Sequence, residues 1–197
     1  MTASVSLVGG VLLGLAAALV LGMAAGRRAL RRHLVHDATG WRMACDIGTT
    51  ATHPLVRIAL APAYPLTNEH ALYLFADDPR DRAPQWAALR GGGPLFRHLH
   101  GSRHYRIVGD RGSLAADWWS VTVYDTAGLM PGPASSCSVL DTGIAPAADG
   151  TFVIDIAAAR PPGSRNWLAV PPGAPFLVAM RIYGPAPFLV LPRFEEA

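Results

Sequence analysis

The chain has no lysine: all seventeen of its basic residues are arginine. Cysteine is scarce, with only Cys45 and Cys137. Two cysteines so far apart cannot build a zinc site alone, and whether they form a disulfide depends on the compartment. Charged residues make up only 16% of the chain, and none lies between Val5 and Ala25. No glycine-rich phosphate loop of the usual spacing occurs, and Ser135 and Ser136 stand in a loop without a histidine pattern. The motifs of nucleotide hydrolysis and of serine nucleophiles are therefore missing. Four arginines precede His33, while all fourteen acids follow it, so the remainder of the chain is within one charge of neutral. A nucleic-acid binder carries its positive charge as a patch on the folded domain, so no nucleic-acid partner is expected.

What is present divides the chain into residues 1–32 and 33–197. Twenty-one residues of helix from Val5 to Ala25 span roughly 30 Å, the thickness of the bilayer hydrocarbon. The run reads as a transmembrane helix. A cleaved signal peptide is the alternative, but its charge would precede a shorter apolar run. Ser6, Gly10, Gly14, Ala18, Gly22 and Gly26 recur at every fourth position and form a ridge of small side chains. Such ridges let helix backbones approach closely in lipid, so another transmembrane protein is the expected partner; chance in an Ala- and Gly-rich run is the plainer reading. Arg27, Arg28, Arg31 and Arg32 follow directly, and the positive-inside rule places that end in the cytoplasm. These arginines can also touch anionic headgroups.

The second part reads as β structure. In DWWSVTVYD, Asp117 to Asp125, the residues Trp119, Val121 and Val123 share one strand face, and Trp118, Ser120, Thr122 and Tyr124 share the other. Further strands are expected at His70 to Ala76, from Tyr105, at Phe152 to Ile156 behind the Asp149–Gly150 turn, and from Phe176 to Tyr183. The last is apolar on both faces and so should be covered on both sides. His33 to Thr50 reads as a connector and Leu129 to Pro146 as irregular. Short helices are expected after Thr52 and from Pro84 to Arg90. The fold class is mainly β: an antiparallel β-sandwich or jelly-roll-like domain with short helices, preceded by one transmembrane helix.

Three groups of side chains could carry chemistry. His98, His100 and His104 could converge around the turn at Gly101, but no acid or cysteine stands at a companion spacing, so no metal is expected. Arg181, on a covered strand, needs an acidic partner, with Asp125 and Asp155 as candidates. Asn166, Trp167, Arg181, Tyr183, Tyr124 and Asp125 are the candidate ligand-binding residues, with Arg181 holding an anionic group and the aromatics walling a pocket.

The motifs WWSVTVYDTAG (Trp118 to Gly128), NWLAVPPG (Asn166 to Gly173) and MRIYGP (Met180 to Pro185), with the closing LPRFE, resemble the bacterial domain-of-unknown-function 1214 family. The similarity runs over most of Gly40 to Glu196 and is nearest the short, membrane-anchored branch. Ala169 stands where the family commonly has proline after NWL, and the Trp-containing ending of longer members is absent. The resemblance implies a β-sandwich or jelly roll and a partner carrying domain of unknown function 1254. It implies no cofactor and no catalytic residue. Placement at the bacterial inner membrane follows, with the domain cytoplasmic by the charge rule although short relatives look exported. The leading expectation is a membrane-tethered binding or assembly module, an accessory subunit of a membrane-associated complex. The alternative is an envelope-associated enzyme acting on a lipid or glycan.

Overall fold

The computed structural model describes residues 10–18, 20–22, 24–25, 34–36, 39–44, 71–76 and 98–197. The helices expected after Thr52 and at Pro84 to Arg90 lie outside these residues, as does Cys45. Residues 10–18, 20–22 and 24–25 are helical. Among the described residues no helix is long and apolar enough to cross a membrane.

From Leu34 onward the described chain is mainly β. Its strands are β1 (Leu34–His36), β2 (Trp41–Ala44), β3 (Ala71–Ala76), β4 (Leu99–His100), β5 (Tyr105–Asp110), β6 (Trp118–Tyr124), β7 (Ser138–Leu140), β8 (Thr151–Ala157), β9 (Asn166–Ala169), β10 (Pro175–Tyr183) and β11 (Arg193–Glu196). One sheet runs β1-β2-β3-β10-β6-β7, with β4 also on β10; the other runs β11-β5-β8-β9. Neither sheet closes on itself. All pairings are antiparallel except β8–β9, which is parallel. The expectation of a wholly antiparallel domain is corrected there. Parallel neighbours usually need a long crossover. Here β9 pairs only from Ile154 onward, so the chain need retrace just half of β8. The loop through Pro161, Pro162 and Gly163 is long enough for that.

The two sheets share one core. Alternation on β6 sends Trp119, Val121 and Val123 inward, where Trp119 stacks on Phe152 of β8 at 5.4 Å. Tyr105 of β5 meets Phe176 of β10 edge-on at 5.9 Å and stacks on Phe194 of β11 at 5.6 Å. The Trp119–Phe152 and Tyr105–Phe176 contacts join the two layers, and burying a side chain of this size contributes about 1.5–3 kcal/mol. The other face of β6 hosts polar contacts. Ser120 and Thr122 are buried, and the Thr122 hydroxyl meets that of Ser138 at 3.0 Å. The Thr122 hydroxyl can be buried because β7 supplies its hydrogen-bond partner.

Two stretches read as a connector and as irregular contain short elements. Within His33 to Thr50, β1 and β2 form a hairpin around Gly40, which has φ 92°. A Cβ there would run into the backbone carbonyl of Phe194, and Phe194 N–H donates to the Thr39 carbonyl at 2.7 Å. Trp41 Nε1 donates to the Pro192 carbonyl at 2.7 Å. The hairpin thus rivets the large sheet to β11 of the small one. Within Leu129 to Pro146, the chain makes a single helical turn (Ala134–Cys137), β7 and a 3-10 turn at Asp141–Gly143. Proline and glycine punctuate these pieces without preventing them, because each is shorter than the spacing between breakers.

Candidate functional site

The candidate residues fall into two places. Tyr124, Arg181 and Tyr183 share the outer face of the large sheet, since Arg181 pairs with Ser120 and Tyr183 with Trp118 across β10 and β6. Trp118 and Tyr183 stack at 3.9 Å with an interplanar angle of 13°. The Arg181 Nη2 donates to the Tyr124 hydroxyl, and the guanidinium carbon lies 5.6 Å from that ring's centre. Asp125 follows on the turn: its Oδ1 accepts from the N–H groups of Ala127 and Leu129, both at 2.9 Å. It caps a turn whose Gly128 has φ 82°.

Asn166 and Trp167 stand on β9, in the other sheet, and do not join the Arg181 group. The Asn166 Oδ1 accepts from Ala145 N–H at 2.7 Å, and its Nδ2 donates to the carbonyls of Ala145 and Val153 at 3.1 and 2.9 Å. A buried amide with three bonds to backbone is a clasp between the Ala145 loop and β8. Trp167 Nε1 donates to the Ala157 carbonyl at 2.9 Å.

Asp155 is not a partner of Arg181 either, because it lies on β8 in the small sheet. Its Oδ1 accepts from His104 Nε2 at 2.8 Å and Arg106 Nε at 3.1 Å. Arg106 is its cross-strand neighbour on β5. Burial by itself favours the neutral carboxyl, yet hydrogen bonds from Ser164, Arg106 and His104 outweigh it and hold Asp155 below the usual carboxylate range. Since a carboxylate only accepts, His104 Nε2 must carry the proton in this contact. The cluster borders a groove of about 430 Å³ that also takes in Ser164, Arg165, Asn166 and the Pro161–Gly163 turn.

This trio escaped the sequence reading. The available signal was that Asp155 is the lone charged residue within the strand core of β8, which demands a cationic neighbour. Which cation supplies it depends on the β5–β8 register, and that register spans some fifty positions.

The histidines do not converge. His104 is committed to Asp155, and His100 Nδ1 meets the Ser102 hydroxyl at 2.8 Å. Among the described residues no three His, Cys, Asp or Glu side chains are grouped to hold a metal ion. The Ser164 hydroxyl, whose single proton can serve either Asp155 or the Asn166 carbonyl 3.0 Å away, also braces the loop. The groove therefore offers two arginines and a charge-compensated carboxylate, which suit polar contacts with a ligand more than bond-making.

No curated protein matches the chain. The chain is similar to the solved structure of the VPA0106 protein from Vibrio parahaemolyticus, with 21% identity and a TM-score of 0.50, covering 75% of this chain and 36% of that one. That likeness concerns the fold alone. An uncharacterised protein from Burkholderia cenocepacia is 18% identical, with a TM-score of 0.39, over 58% of this chain and 33% of its own. The chain thus spans about a third of the length of these solved proteins. Residues 96–187, which include the Trp118–Trp119 strand, the Asn166 clasp and the Arg181 strand, match the model described as a protein of unknown function, DUF1214. Over these residues the chain is similar to the DUF1214 family.

Proposed function

We propose that this chain is a single-pass membrane protein whose β domain is a binding or assembly module, an accessory subunit of a membrane-associated complex at the bacterial inner membrane. The observation that carries the reading is the exposure of the helical residues 10–18 and 20–21. Val11, Leu12, Leu13, Leu15, Val20 and Leu21 are each more than half exposed, in a stretch without charge. Positions Gly10, Gly14 and Gly22 have open space where a Cβ would stand. Lipid suits the leucines, and an uncovered small-residue ridge suits a second helix. The resemblance among relatives suggests that the second helix belongs to a protein with domain of unknown function 1254.

Support for a module over an enzyme acting on a lipid or glycan comes from the split of the candidate residues between two sheets. The serine and histidine that do meet, Ser102 and His100 at 2.8 Å, sit at an exposed turn and are not among the candidate ligand-binding residues. The test is to purify the tagged full-length protein from gently solubilised membranes, as wild type and as Gly14→Leu with Gly22→Leu. A stoichiometric partner that disappears in the double variant is expected. Unchanged partner recovery would remove the ridge from the account, and recovery of monomer alone from wild type would remove the assembly role.

A further inference from the structure

The registers of the large sheet fix which end of the domain receives the amino-terminal segment. Leu34 lies in one row with Ala44, Tyr73, Arg181, Ser120 and Leu140. The strand then runs from Leu34 to His36, away from the row of Ala71, Tyr183 and Trp118. The chain therefore comes into β1 from the Trp118–Tyr183 end. From residue 25 to Leu34 it can reach at most about 30 Å, at ~3.3–3.6 Å per residue. Four strand spacings, roughly 20 Å, separate β1 from β6.

That same end carries exposed apolar side chains. Trp118 is 41% exposed and stacked on Tyr183; Phe188 and Val190 are 73% and 60% exposed. The loop bearing the latter two is held there by Ala186 N–H to the Ala115 carbonyl and Val190 N–H to the Ser113 carbonyl, both at 3.0 Å. Gly184, at φ 59° and crowded by the Asp117 side chain, makes the tight turn that sends the loop over the start of β6. A Trp and a Tyr with an apolar body and a polar tip are the side chains that settle at the headgroup level of a bilayer.

We propose that this end of the domain, through Trp118, Tyr183, Phe188 and Val190, is a lipid-docking face that seats the sandwich on the bilayer interface beside its own helix. The proposal rests on the membrane reading above and adds an orientation to it. The position of the tether selects this face over the opposite end, where Leu129 and Met130 are also exposed beyond the far end of β6. The arginines at 27, 28, 31 and 32 lie in the connecting stretch and add attraction to anionic headgroups.

The experiment reconstitutes full-length protein into vesicles of phosphatidylethanolamine and phosphatidylglycerol, with or without brominated acyl chains, and reads tryptophan emission. Wild type should be quenched by the brominated lipid, Trp118→Phe should lose most of the quenched emission, and Phe188→Ser should weaken quenching. Leu129→Ser, at the far end, should match wild type. Equal quenching of wild type and Trp118→Phe overturns the proposal, as does a loss on Leu129→Ser but not Phe188→Ser. Shielding of Trp118 from aqueous acrylamide only when a second protein is present assigns the face to a protein and also overturns it. Failure of wild type to float with carbonate-washed vesicles removes the tether and this proposal together. Flotation without quenching of Trp118 removes this proposal alone.

Discussion

Asp155 shows what a single residue contributes here. Its carboxylate is nearly buried, at 9% side-chain exposure, while Arg106 is 44% exposed, so solvent screens part of their attraction. Replacing Asp155 with Asn keeps the shape and removes the charge. A loss of about 1–2 kcal/mol is expected near neutral pH, measured by urea unfolding. Because the folded-state pKa is depressed, the carboxylate stabilises the protein above the ordinary Asp value of about 3.9 and ceases to do so as pH falls through its lower folded value. The gap between wild type and Asp155→Asn should therefore close on acidification below about pH 4. A gap independent of pH would mean that the carboxylate's charge is not what stabilises β8 against β5. At this scale the sequence offered Asp155 as a candidate partner for Arg181, whereas the structure pairs it with Arg106 and His104. Arg181 and Arg106 are equally plausible by residue type; strand pairing decides between them.

Elements were legible where the period was clean. β6, β8 and β10 alternate with period two and are bounded by turn residues, and they appear within a residue or two of their expected limits. β1, β2 and β7 have three or four residues each, too few for a period to register. Their stability comes from partners far along the chain, which local patterning cannot reveal. The β1–β2 hairpin is the test case, because one glycine lets it approach β11. Gly40→Ala forces a side chain into a positive-φ position and against the Phe194 backbone. A loss of at least about 2 kcal/mol is expected, given the usual cost of strained backbone, with faster hydrogen exchange at the Phe194 amide. Exchange at the Ile154 amide, in the centre of the small sheet, should respond less. Equal acceleration at both would show that the hairpin is integral to the small sheet instead of clamped upon it.

At the scale of the molecule, the described strands leave little room for partners at the sheet edges. The edge strands β1, β7, β9 and β11 have three or four residues apiece. Short edges discourage strand addition by another chain. Contacts with a partner are then expected through the helix or the apolar ends. Independence of the two parts follows from the core itself, whose buried cluster includes none of the described residues from 10 to 25. Removing residues 1–32 should therefore leave a cooperative unfolding transition, with Tm within about 4 °C of the full chain, the shift that roughly 1 kcal/mol produces in a domain of this size. The shortened chain should no longer float with carbonate-washed vesicles. A larger fall in Tm would mean that the apolar helix packs on the sandwich, and its exposed leucines would then have a partner within the same chain. Retained flotation, with Tm unchanged, would instead move the membrane contact wholly onto the Trp118 face and leave the helix without a role in anchoring.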